Sequence, residues 1–82
     1  MTQIEGKFLT TLQQVIGYDI VEGRGMVCDV SVLSANKAVK GIVKKAEEQG
    51  CNAVVNVRVD SGPNGFTAIG DAVVVKEKPF SY

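Results

Sequence analysis

The chain has 82 residues, with nine Lys plus Arg balanced by nine Asp plus Glu, no His, no Trp, two Cys, two Tyr and three Phe. That length is one small domain (residues 1–82, with an ordered core expected over about 7–77), which buries only about two-thirds of its unfolded surface around an aliphatic core. A formal net charge of zero, without a long basic run, argues against nucleic acid or an anionic membrane as the main partner, and leaves little repulsion between copies of the chain.

No apolar run approaches the roughly 18 residues of a membrane helix, so no membrane association is expected. The default compartment is the cytoplasm, and two cysteines without histidine fit reducing conditions.

In chain order, Met1 to Gly6 carries no pattern and is expected to fray. From Lys7 to Ile16 two patterns compete. Ile4, Phe8, Leu12 and Ile16 lie four apart, as on a helix. Phe8, Thr10 and Leu12 also suit one side of a strand, with β-branched Thr10 and Thr11 between them. A short strand from Phe8 to Leu12 is the reading adopted, ended by Gly17. Tyr18 to Val30 reads as the first long strand. One side carries Val21, Gly23, Gly25 and Val27; the other carries Ile20, Glu22, Arg24, Met26 and Cys28. The glycines imply that something approaches the strand closely, and a helix is the candidate.

That helix runs from Ser34 to Gly50. Ala35, Ala38, Val39, Ile42, Val43 and Ala46 form one apolar stripe at i, i+3, i+4, i+7, i+8 and i+11, flanked by polar residues and Gly41. Ser34 is a fitting N-cap and Gly50 a fitting left-handed terminator. Lys37 and Lys40 come early, and Glu47 and Glu48 late, against the helix dipole. Packing must therefore hold this helix in place.

Asn52 to Asp60 alternates as a strand, with Ala53, Val55, Val57 and Val59 inward and Val54, Asn56, Arg58 and Asp60 outward. Gly62-Pro63-Asn64-Gly65 is a turn. Phe66 to Glu77 returns as the last strand, and its Ala72 to Val75 run is apolar on both sides, which marks a central position. The tail leaves the sheet at Pro79. These elements predict an α+β, β-α-β-β two-layer sandwich, with one helix on a mixed sheet of long-strand order 1-3-2 and a short extra strand in front. The face away from the helix would be bare, lined by Ile20, Glu22, Arg24, Met26, Val54, Asn56, Arg58, Ile69, Asp71 and Val73. Such a half-apolar face predicts self-association.

Phe8-Leu9-Thr10-Thr11, Gly17-Tyr18-Asp19-Ile20-Val21-Glu22 and Gly25-Met26-Val27 resemble the opening of YbjQ-type domains. Gln49-Gly50-Cys51-Asn52-Ala53-Val54-Val55-Asn56-Val57 and Ala68-Ile69-Gly70-Asp71-Ala72-Val73-Val74-Val75 resemble their closing half. The likeness spans most of Phe8 to Lys76, and its motifs are structural. It implies a dodecin-like layout and a homopentamer in which short extra strands join subunits. The family carries a heavy-metal-binding label. Lacking the usual long insertion before the helix, this chain is closer in size to small archaeal selenium-binding proteins, where a cysteine holds selenium. A selenium species or thiophilic metal on Cys51 is what the resemblance implies.

Cys28 and Cys51 fall at opposite ends of a helix of about 24 Å, too far for a disulfide, which needs Cα atoms within about 7 Å. Without His or a Cys-x-x-Cys, one chain cannot offer a four-ligand zinc site. Cys51 reads either as a small buried hydrophobe or as a ligand thiol. Cys28 is expected on the bare face. Arg24, Arg58, Glu22 and Asp71 would share that face, forming ion pairs or a polar pocket between subunits. Phe80 and Tyr82 are expected either to fray or to anchor on a neighbouring subunit. No nucleophile–base pair stands out, so the expected function is a homo-oligomeric carrier of a soft ligand. The alternatives are a ligand-free structural ring or an unrecognised small-molecule site at subunit interfaces, with an enzyme third.

Overall fold

The computed structural model describes residues 2–4 and 7–79. Six elements follow one another: β1 (Thr2–Ile4), β2 (Lys7–Leu9), β3 (Tyr18–Ser31), α1 (Ala35–Glu48), β4 (Ala53–Gly62) and β5 (Gly65–Glu77). The strands form one sheet in the order β1-β2-β4-β5-β3. The fold is α+β, and the three long strands take the expected 1-3-2 order with apolar β5 in the middle. β5 runs antiparallel to both neighbours, whereas β2 runs parallel to β4. The N-terminal strand is shorter than expected, and Thr2–Ile4 pairs with it instead of fraying. Met1, Glu5, Gly6, Phe80 and Tyr82 lie outside the described residues.

Helix α1 is fixed at both ends by local chemistry. Ser34 sits in extended backbone at φ −165°, and its hydroxyl accepts the Lys37 N–H at 3.2 Å. At the other end, Gly50 adopts φ 78° and donates to the Glu47 carbonyl, while the Cys51 N–H donates to the Ala46 carbonyl, both at 2.9 Å. This paired closure is a Schellman motif, in which the residue after the glycine folds back on the last turn. Ala38, Ile42, Val43 and Ala46 are buried along the predicted stripe. Gly41 has no room for a side chain: a Cβ there would meet the carboxylate of Asp29 on β3.

Three bulges set which residues face the helix. In β3 the register slips between Ile20 and Glu22 and again between Gly23 and Gly25; in β4 it slips between Val55 and Arg58. Each bulge inserts one residue and reverses the alternation beyond it. Two cores result. Val27, Ala38, Ile42, Ala46, Cys51, Val54, Val57, Ala68 and Ala72 pack beneath α1. On the opposite face, Val15, Ala53, Val55, Val73 and Val75 form a smaller core with Phe8 and Tyr18 beside it.

These bulges correct four expectations. Ala53 and Val55 point away from the helix and Val54 towards it, the reverse of the expected facing. Glu22 pairs with Val74, which packs against the helix-side core, so it leaves the far face; Arg24 occupies the second β3 bulge. The glycines of β3 do not admit a close neighbour, since a Cβ on Gly23 or Gly25 would meet nothing within 4 Å. Gly25 serves the bulge instead, at φ 93°, which other residues rarely adopt. Finally, the far face is not wholly bare: the segment carrying Val15 covers part of it, and Val15 is 1% exposed.

Candidate functional site

Asn56 is the only described non-glycine residue with positive φ, at 55°. It occupies the β4 bulge, where its backbone N–H turns away from β5 and donates to the Leu12 carbonyl at 2.8 Å. On either side, Thr10 N–H donates to the Val54 carbonyl and Val57 N–H to the Thr10 carbonyl, both at 3.1 Å. The bulge thereby holds the segment after β2 against the sheet. Its side chain then reaches across to β5, where Nδ2 donates to Asp71 Oδ2 at 2.9 Å. Bulges recur beside functional sites because they re-aim side chains, and Asn is the residue that tolerates left-handed backbone best after Gly.

The result is an open pocket of about 310 Å³ lined by Thr11, Gln13, Asn56, Arg58 and Asp71. All five side chains are polar. Arg58 pairs in register with Ile69, and Asp71 is two residues further along β5, beyond the β4 bulge, so the two charges sit diagonally across neighbouring strands. Among the described residues only Arg24–Glu22, at 3.0 Å, and Lys45–Asp29, at 3.6 Å, form ion pairs. Arg58 and Asp71 therefore line one pocket without forming an ion pair with each other.

The other predicted site residues separate. Arg24 is bonded to Glu22 through Nη2–Oε2, away from Arg58 and Asp71. Cys51 is 2% exposed and belongs to the helix-side core. Its position just after Gly50 explains the burial, since this residue of a Schellman motif makes an apolar contact with the last helical turn. Burial pushes its thiol pKa up; Arg24 pulls the other way and Glu22 adds to the rise. A thiol that stays protonated and enclosed is a poor ligand for a soft ion. No three of the described Cys, Asp and Glu residues gather into a metal-holding group, so the donors at Cys51 do not fit a metal centre within one chain. Cys28 is free and exposed. It shares the far face with Met26, which pairs with Asp71.

Sequence reasoning missed Thr11, Gln13 and Asn56 as site residues. Asn56 had a visible signal: it interrupts a Val-rich alternation with a residue that is poor in strands and apt in left-handed backbone. Thr11 and Gln13 had none, since only the bulge brings them to Asp71.

No family model and no curated protein matches the chain. Among solved structures it is similar to the crystal structure of a protein of unknown function from Pediococcus pentosaceus that belongs to the DUF74 family, at 16% identity and a TM-score of 0.53, over 90% of this chain and 100% of that one. The two chains share a fold. At that identity the likeness carries architecture and nothing about ligands. No helix among the described residues is long and apolar enough to cross a membrane.

Proposed function

We propose that this chain is a divergent member of the YbjQ-like family, of which DUF74 is the designation, and that it works as a small self-associating binding module. Its ligand site is the pocket of Thr11, Gln13, Asn56, Arg58 and Asp71, partly closed by a neighbouring copy. The observation that carries this is Asn56: a residue held in costly backbone, hydrogen-bonded to an acid, at the centre of an otherwise uncompensated polar pocket. The reading is of binding, because the two lining groups that could do chemistry, the Thr11 hydroxyl and the Asp71 carboxylate, are not joined as a nucleophile–base pair; the side-chain bond to Asp71 comes from Asn56.

Self-association draws support from the same side of the sheet. Ile16, Ile20 and Met26 stay 66%, 43% and 65% exposed, and β3 is a long edge strand with its outer backbone groups unpaired in the sheet. Multi-subunit mass in sedimentation at micromolar concentration is expected. Thermal shifts should then appear with at least one class in a panel of small carboxylates, amines, amino acids, phosphates and sugars. A single-copy species, together with a panel that moves nothing, retires the reading.

A second reading rests on sulfur. Cys28 and Met26 are exposed side by side on the far face, so a soft ligand such as a selenium species or thiophilic metal would be held there, between copies, and not at Cys51. Alkylating Cys28 in the native protein should abolish uptake of selenite or silver ion. Uptake that survives alkylation rejects it.

A further inference from the structure

We infer that the pocket recognises a small zwitterion, a molecule carrying a carboxylate and a primary ammonium a few bonds apart, as a free α-amino acid does. This rests on the pocket reading above and names its ligand class. The argument starts from the two charges. Arg58 has no carboxylate partner among the described residues, and Asp71 has no cationic one, yet both line a single cavity. A guanidinium presents a planar fork that fits a carboxylate in two parallel hydrogen bonds. A carboxylate accepts up to about four hydrogen bonds, and among the described residues Asp71 receives a single side-chain hydrogen bond, from Asn56.

Asn56 fixes the acid without quenching it. By donating Nδ2 to Asp71 Oδ2 it anchors one oxygen, which leaves Oδ1 to take an ammonium or hydroxyl proton. A cation and an anion on diagonal strand positions match a ligand with its own charges arranged in the opposite sense. A simple anion would satisfy Arg58 but be repelled by Asp71; a simple amine would meet the reverse. Among charged ligands, one with both groups avoids a like-charge contact, and it gains two charge-assisted hydrogen bonds that a neutral ligand lacks; together these supply the selectivity. The cavity, about 310 Å³, lies at the small end of ligand pockets, which suits a molecule of amino-acid size. Thr11 and Gln13 add neutral hydrogen-bonding groups at the rim.

The test is titration of the intact, isotope-labelled chain with L-alanine, acetate, methylamine and inorganic phosphate, followed by amide NMR at Asn56 and Asp71. L-alanine should bind roughly tenfold or more tightly than either acetate or methylamine, as expected when a second charged hydrogen bond is added. Arg58→Gln and Asp71→Asn should each weaken L-alanine by a similar factor, while Asp71→Asn leaves acetate no weaker. Unchanged spectra of both variants away from the pocket show that they fold. Acetate or phosphate binding as well as L-alanine, or L-alanine binding indifferent to Asp71→Asn, overturns the zwitterion while leaving a ligand pocket. Silence from every probe here and across the wider panel removes both.

Discussion

At the scale of single residues, Asn56 and Cys51 show what the backbone asks of a side chain. Asn56 combines left-handed backbone with a cross-strand hydrogen bond, and substitutions separate the two. Asn56→Ala loses the bond and puts a Cβ in a conformation costing about 1 kcal/mol more than glycine. Asn56→Gly loses the bond but is relieved of the left-handed penalty that Asn bears. Urea unfolding should therefore rank Asn56→Gly above Asn56→Ala, with the alanine variant about 2 kcal/mol below wild type. Equal losses for the two variants would remove backbone strain from the account. Cys51 makes a prediction in pH. Its folded thiol is held protonated by burial, against the pull of Arg24, so unfolded chains ionise first as pH rises. The stability due to the neutral buried thiol is complete below the ordinary thiol value, about 8.5, and drains away above it until the raised folded value is passed. Unfolding midpoints measured from pH 7 to pH 10 should fall more steeply for wild type than for Cys51→Ala. Identical slopes would mean that the thiol is solvated in the native state.

At the scale of elements, the β4 bulge decides both cores, and Gly70 on β5 is its counterpart. A Cβ on Gly70 would come within 2.5 Å of Val54 Cγ1, 3.2 Å of the Val55 carbonyl oxygen and 3.4 Å of Val57 Cγ2. The missing side chain makes the space that Val54 and Val57 fill when the bulge swings them under the helix. Gly70→Ala is expected to destabilise by about 1–3 kcal/mol through overpacking, read by denaturant midpoint, whereas Gly23→Ala, with nothing near its Cβ, should stay within about 0.5 kcal/mol. The same bulge marks the limit of what the sequence reveals. The stripe from Ala38 to Ala46, its Ser34 cap and its Gly50 stop depend on contacts within a few residues, and so does the Pro63-Asn64 turn; all are readable locally. The 1-3-2 order follows from the doubly apolar run of β5. Facing within β3 and β4 is not readable, because a strand's alternation persists only until one extra residue enters, and where it enters depends on the partner strand. For this reason Ala53, Val54, Val55 and Glu22 were expected on the wrong faces. Arg58 and Asp71 met their expected side, while Arg24 did not. Of the two readings open for Cys51, the structure takes the buried one, and the burial comes from the helix terminus.

At the scale of the whole molecule, length mismatch between layers leaves surface without cover. A helix of 14 residues is about 21 Å long, while a strand of 14 residues is about 46 Å. The chain extends 52 Å along its main axis and only 21 and 19 Å across it, so much of the sheet lies beyond the reach of α1. β3 and β5 continue past the start of β4 as a two-stranded ribbon, where Tyr18 pairs with Glu77 and Ile20 with Val75. Such ribbons are marginal alone in water, and this one holds Ile20 and Val21 at 43% and 54% exposed. Net charge of zero offers no opposition to contact between copies. Ile20 and Met26 both lie on the far face, on the edge strand, outside both cores. Placing a lysine at each costs the monomer little, since both positions are exposed and Met26 faces the acid Asp71 across the strands, but buries two charges in any interface built on that face, each a penalty of several kcal/mol. Ile20→Lys combined with Met26→Lys should therefore give a folded single copy by circular dichroism and sedimentation, while wild type sediments as an assembly. An assembly that persists in the double variant would move the interface to the helix side or to the Val32–Leu33 end, and a wild type that is already a single copy would end the case for self-association.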